Sequence, residues 1–144
     1  SFGGTKNGCL AAEAVVFFRP ELVGDFPFLQ KRAGQLLSKS RFISSQFAGY
    51  LKDGTWLRNA RQANAMAQRL SKGLAALPGI ELAYPTQSNE VFVSMPAVLI
   101  ERLSAQGLSV NDEELDGKAV RFVAAWNTPE SQVDDLLKVL ADHC

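Results

Sequence analysis

The sequence predicts an α/β fold. Its first part reads as the end of a large domain, one parallel-sheet strand plus helices, and a small α+β C-terminal domain comes after it. Three observations carry this. The run Ala14-Val15-Val16-Phe17-Phe18 is continuous, apolar and rich in β-branched and aromatic residues, which suits a strand buried on both faces. Trp56, Ala60, Ala63, Ala67, Leu70, Leu74 and Leu77 then recur at spacings of four and three, the stripe of one long amphipathic helix. After it the patterns run β-β-α-β-β-α, which packs as helices on one face of an antiparallel or mixed sheet. Residues 1–54 are assigned to the end of the large domain, and residues 55–144 to a bridging helix with the small domain.

Ser1–Gly8 is loop chemistry, with no Met and no element before it, so the chain is expected to be a C-terminal piece of a longer protein. The strand partners of Ala14–Phe18 are then expected elsewhere, and without them the strand edge favours association or a rearranged segment. Arg19-Pro20 ends the apolar run, and Pro20 and Pro27 punctuate the next segment. From Phe28 to Leu51 the pattern is helical, with Leu36, Ile43, Phe47 and Leu51 at turn spacing. Asp53-Gly54-Thr55 breaks that helix and can cap the next, which Pro78-Gly79 stops.

Ile80–Ala83 and Glu90–Met95 read as strands around a Pro85–Asn89 turn. Pro96–Ala105 is a short helix with Val98, Leu99 and Leu103 inward, ended by Gly107. Leu108–Val110 reads as an edge strand, Asn111–Lys118 as an acidic loop and Ala119–Trp126 as a strand. In the last helix Thr128 is the expected cap, Pro129 and Glu130 open the first turn, and Val133, Leu136, Leu137 and Leu140 form the buried face.

Composition excludes several function classes. With 47% apolar and 21% charged residues the chain is ordinary globular protein and not a disordered one. Lys+Arg and Asp+Glu are 15 each, so the basic excess of a nucleic-acid or anionic-membrane binder is missing. Leu10–Phe18 is interrupted by Glu13, and no run spans a bilayer. Cys9 and Cys144 lie at opposite ends without metal-ligand spacing, and His143 is the one histidine, so no metal site is expected. A reduced, cytoplasmic setting is the default for such cysteine usage.

Two residues can carry chemistry. Lys6 follows Gly3-Gly4-Thr5 and leads into the apolar run. Glycines let a ligand approach the backbone, and a lysine beside a buried strand can be desolvated into a nucleophile toward carbonyl groups. An ordinary exposed loop lysine fits the same residues. Arg121 sits in a strand among Val120, Phe122, Val123, Ala124 and Ala125, where a guanidinium must find a partner or face solvent. Its planar fork matches a carboxylate.

The octapeptide Ser1-Phe2-Gly3-Gly4-Thr5-Lys6-Asn7-Gly8, followed by Ala12-Glu13-Ala14-Val15-Val16-Phe17, resembles the lysine segment of the low-specificity L-threonine aldolases, β-eliminating lyases among the fold-type I pyridoxal-phosphate enzymes. Lys31-Arg32-Ala33-Gly34-Gln35 through Lys39-Ser40-Arg41-Phe42 is similar to the family's next helix, and Trp56-Leu57-Arg58 with Ala63-Asn64-Ala65-Met66-Ala67 to its inter-domain helix. Asn89–Val93 and Val120–Val123 resemble its small-domain strands.

The resemblance implies a fold-type I architecture and pyridoxal 5'-phosphate as cofactor. Lys6 becomes the Schiff-base lysine and Arg121 the holder of the substrate carboxylate, while Thr5 beside the lysine either offers its hydroxyl to the cofactor phosphate or is a turn-forming polar residue. Lys39 falls where the family places a basic residue near the phosphate of a neighbouring subunit. The family often has an arginine seven residues after it, where this chain has Gln46. The implied reaction cleaves β-hydroxy-α-amino acids, L-threonine or L-allo-threonine, to glycine and an aldehyde. The partners expected are an amino-acid substrate and further copies of the chain in a dimer or tetramer, with no nucleic acid and no membrane. The phosphate cup, the carboxylate at the pyridine nitrogen and the stacking ring precede the lysine in that family, so the isolated chain is expected to be nearly inactive. A tryptophanase-like β-elimination and a non-catalytic dimerisation module are the alternatives.

Overall fold

In the computed structural model, which describes residues 1–107 and 119–143, the chain divides into two units, Ser1–Arg58 and Asn59–Cys144. Each is described by itself.

The first unit is built on a short ribbon. Strand β1 (Phe2–Gly3) pairs antiparallel with β2 (Glu13–Ala14), Phe2 opposite Ala14 and Gly3 opposite Glu13. Helices α1 (Phe26–Arg32) and α2 (Arg41–Leu51) come next. The Phe2 ring meets Phe47, Tyr50 and Trp56 with centroids 5.9, 6.1 and 6.2 Å away, and this aromatic cluster anchors the ribbon to α2.

Two expectations for this unit are corrected. The run Ala14–Phe18 is not a doubly buried parallel strand. Only Ala14 is paired, Val15 and Val16 are each 51% exposed, and Phe18 is 93% exposed. A parallel strand needs laddering neighbours and helices over both faces. The partner of β2 among the described residues is the two-residue antiparallel β1. The helix expected from Phe28 to Leu51 is two helices, because α1 ends at Arg32 and Gly34 adopts a left-handed φ of 71°. Of the residues at turn spacing, Leu36 falls between the two helices and is exposed, as is Leu51.

A left-handed pair, Asp53 (φ 52°) and Gly54 (φ 69°), turns the chain out of α2. Helix α3 (Thr55–Ala75) starts there and continues through the second unit. Thr55 does not act as an accepting cap, since its hydroxyl donates to the Lys52 carbonyl at 3.0 Å.

In the second unit α3 buries Ala63, Ala67, Leu70 and Leu74 of the predicted stripe, together with Met66 and Ser71. Strands β3 (Glu81–Leu82), β4 (Glu90–Ser94) and β5 (Val120–Val123) form an antiparallel sheet in the order β3-β4-β5. Helix α4 (Ala97–Ala105) lies between β4 and β5 in the chain, and α5 (Glu130–Ala141) ends it. Val91, Val93 and Val120 point from the sheet into one core with Met66, Leu70, Leu74, Leu99, Leu103, Val133 and Leu140. Each such buried side chain contributes roughly 1.5–3 kcal/mol. Strand alternation puts Glu90, Phe92 and Arg121 on the opposite face.

Helices α3 and α5 approach closely at Gly73, where a Cβ would lie 2.3 Å from Leu137 Cδ1. One turn before that contact Arg69 holds Asp134 through two bonds of 2.7 and 2.8 Å, with Glu130 at 3.4 Å. Val98, expected inward, is half exposed, whereas Leu99 and Leu103 are buried. Thr128 is no helix cap: its hydroxyl accepts the Ala125 N–H at 2.9 Å, which closes the turn that Pro129 leaves to start α5. The edge strand Leu108–Val110 and the loop Asn111–Lys118 lie outside the described residues. Among the described residues, no helix is long and apolar enough to cross a membrane, and no cluster of potential metal ligands forms.

Candidate functional site

The lysine loop is heavily anchored. Gly4 N–H donates to the Ala12 carbonyl at 2.8 Å, and the Gly4 carbonyl accepts from both Asn7 N and Cys9 N at 3.0 and 2.8 Å. The chain from Gly4 to Cys9 therefore coils around one carbonyl. Both glycines are explained by what occupies their missing side chains. A Cβ on Gly4 would lie 2.5 Å from Cys9 Sγ, and one on Gly3 would lie 1.8 Å from Glu13 Oε2. The room expected for a ligand at these glycines is taken by Cys9 and Glu13.

Lys6 is exposed. The desolvation expected from a buried neighbouring strand is absent, because that segment is itself open to solvent. The two residues flanking Lys6 are tied down. The Thr5 hydroxyl donates to Glu13 Oε1, and the Thr5 N–H reaches the same oxygen at 3.4 Å. Asn7 Nδ2 donates to the Tyr50 hydroxyl at 2.6 Å and to the Trp56 carbonyl at 3.0 Å. Farther along, Gln46 Oε1 accepts from Leu10 N at 2.8 Å and Ala11 N at 3.3 Å. The position where the resemblance expects an arginine thus carries an acceptor for two loop amides, a task no guanidinium can perform.

Thr5 and Lys6 share this loop. Lys39 is exposed in the turn before α2, whose start is tied by Phe42 N–H to the Lys39 carbonyl at 3.1 Å. Arg121 belongs to the other unit. It is half-buried on β5, opposite Phe92, with Nη1 3.3 Å from Glu90 Oε1. It also lines a cavity of about 400 Å³ with Met66, Leu70, Phe122, Gln132 and Leu136. Asn89 fixes the start of β4, donating to the Ala124 carbonyl at 2.9 Å while its own carbonyl accepts Ala124 N–H at 2.8 Å. That turn role agrees with its sequence position.

Sequence reasoning gives Glu13, Asn7 and Tyr50 no role at the site and marks Gln46 only as a departure from the family's arginine. Glu13 has a visible signal, a charge interrupting an apolar run. The others give no local pattern, since their partners lie tens of residues away.

No family model matches the chain. A low specificity L-threonine aldolase of Pseudomonas sp. is 44% identical over 135 residues, 94% of this chain and 39% of the relative. The low specificity L-threonine aldolase of Pseudomonas aeruginosa is 40% identical over 137 residues, 95% of this chain and again 39% of the relative. Both of these relatives are low specificity L-threonine aldolases. The chain spans about 39% of the length of these aldolases. Among solved structures, the Leishmania major threonine aldolase superposes with a TM-score of 0.73 at 28% identity, over 83% of this chain and 35% of that one. Catharanthus roseus tryptophan decarboxylase gives a TM-score of 0.52 at 18% identity, over 62% of this chain and 23% of that one, a likeness of fold alone.

Proposed function

We propose that this chain carries the cofactor lysine of a pyridoxal 5'-phosphate enzyme that cleaves L-threonine, L-allo-threonine and similar β-hydroxy-α-amino acids to glycine and an aldehyde. The observation that carries the reading is the Lys6 amine, exposed between two anchored neighbours in the octapeptide that resembles the lysine segment of the threonine aldolases. When bound, the cofactor supplies the electron sink for the pair released as a bond to the substrate Cα breaks.

The donor chemistry fits such a group at two of three expected positions. Lys6 offers an accessible amine to an aldehyde carbon, and Lys39 an exposed ammonium to a phosphate. Thr5 does not fit as placed, since its single hydroxyl hydrogen is given to Glu13 and a phosphate needs a donor. Arg121 is read as the carboxylate holder. A substrate carboxylate competes with Glu90 by offering two parallel N–H···O bonds in place of the 3.3 Å contact.

Turnover is read as a property of the longer protein, a cytoplasmic homo-oligomer, and the 144-residue chain alone is expected to show little or none. The exposed Phe18, Phe28 and Phe42 of the first unit support association, because apolar surface of this kind favours being covered. The test is borohydride reduction of the full-length protein with its cofactor, followed by peptide mass analysis. A phosphopyridoxyl adduct on Lys6, lost in Lys6→Ala together with glycine release from L-threonine, is expected. An adduct on another residue overturns the assignment.

A further inference from the structure

We infer that Glu13 and Asn7 are positioning residues that aim the Lys6 amine, an inference that rests on Lys6 being the cofactor lysine. A lysine side chain is a flexible four-carbon stem and finds its target only from a fixed backbone. Lys6 makes its own backbone position dependent on its neighbours, and each neighbour is held by a different part of the unit.

On one side stands Glu13. Its place on β2 is set by pairing with Gly3, and the missing side chain at Gly3 lets the carboxylate cross the partner strand to Thr5. There one oxygen takes both the Thr5 hydroxyl and, at 3.4 Å, the Thr5 N–H. The carboxylate thereby fixes a side chain and a peptide plane at once. On the other side Asn7 is half-buried and spends both amide hydrogens, one on Tyr50 of α2 and one on the Trp56 carbonyl in the first turn of α3. Tyr50 is 6% exposed and held in the aromatic cluster of Phe2 and Phe47, so it is a rigid acceptor. Lys6 thus sits between a clamp on the ribbon and a clamp on the helices. Glu13 holds Thr5, Asn7 donates to Tyr50 and Trp56, and Lys6 lies exposed between them.

The test measures capture of the cofactor, not turnover. Full-length protein stripped of cofactor is mixed with pyridoxal 5'-phosphate and quenched with borohydride at timed intervals, and the Lys6 adduct is quantified by peptide mass. Glu13→Ala and Asn7→Ala are expected to slow capture at Lys6 about tenfold, a loss typical of a displaced reactive group. Glu13→Gln keeps an acceptor oxygen for Thr5 and is expected to return to within about threefold of the native rate. Tyr50→Phe removes a single hydroxyl and should slow capture about threefold, which keeps the Asn7 arm readable if Asn7→Ala does not fold. Alanine variants that capture at the native rate, or Glu13→Gln as slow as Glu13→Ala, overturn the inference while leaving Lys6 as the anchor. An adduct elsewhere in the native protein overturns both.

Discussion

Replacing Gly3 with alanine tests the Glu13 clamp through the backbone it crosses. The new Cβ would stand 1.8 Å from Oε2, 2.4 Å from Cδ and 2.6 Å from Oε1 of Glu13. The carboxylate ends a flexible side chain, so it swings away at small steric cost and releases Thr5. The two bonds it drops are solvent-exposed and charge-assisted, and together lose about 1.5 kcal/mol. Alanine also restricts the unfolded chain relative to glycine, which returns about 0.5 kcal/mol. The net opening of the loop is therefore favoured by about 1 kcal/mol, or roughly fivefold in population. Trypsin cuts after Lys6 when the loop opens, and cleavage follows that population while reclosing is fast. Gly3→Ala should be nicked there about five times faster than the native chain. In a Glu13→Ala background nothing remains to be displaced, and the same substitution should slow cleavage slightly. The reversal of sign is the diagnostic. Equal acceleration in both backgrounds, or none in either, would refute the steric link between Gly3 and Glu13.

The second unit offers three more tests. Leu74→Ala empties a fully buried position and should cost about 3 kcal/mol in urea unfolding; a loss below about 1 kcal/mol would mean the core closes over the gap. Hydrogen bonds from Arg69, aided by its charge, hold the Asp134 carboxyl below the usual carboxylate range. This group therefore stabilises the fold above its unfolded value, about 3.9, and the contribution disappears as pH falls through the lower folded value. Asp134→Asn should flatten the acid side of the melting curve between about pH 5 and pH 2, and an unchanged profile would place the acid sensitivity elsewhere. Arg121→Lys keeps the charge and loses the fork, so in the full-length protein KM for L-threonine should rise about tenfold, more than kcat falls. An unchanged KM would remove Arg121 from the substrate site.

The second unit is largely legible in the sequence because its core is written in short-range periodicity. The stripe from Ala63 to Leu74 identifies an element and its buried face without outside information, and the run Glu90–Met95 identifies a strand. The errors there are Val98, read as inward and half exposed, and Thr128, which has the chemistry of a cap and closes the preceding turn instead. The first unit departs from its sequence pattern where the outcome depends on partners. Val15, Val16 and Phe18 have strand composition, yet strand formation requires something to pair with. Gly34 ends a helix whose apolar spacing continues past it. At the site Lys6 is visible through its octapeptide, but its supports are not. The bonds from Asn7 to Tyr50 and between Gln46 and Leu10 join positions that no local pattern relates. Gly3 and Gly4 suggest openness in the sequence, while the structure uses them as seats for Glu13 and Cys9.

The acceptor at Gln46 constrains how sequences of this kind can diverge. An arginine introduced there alone would set five donors against the Leu10 and Ala11 amides and leave both to solvent, untied from α2. A chimaera that exchanges Gln46 for arginine and changes nothing else therefore begins with a loosened lysine loop.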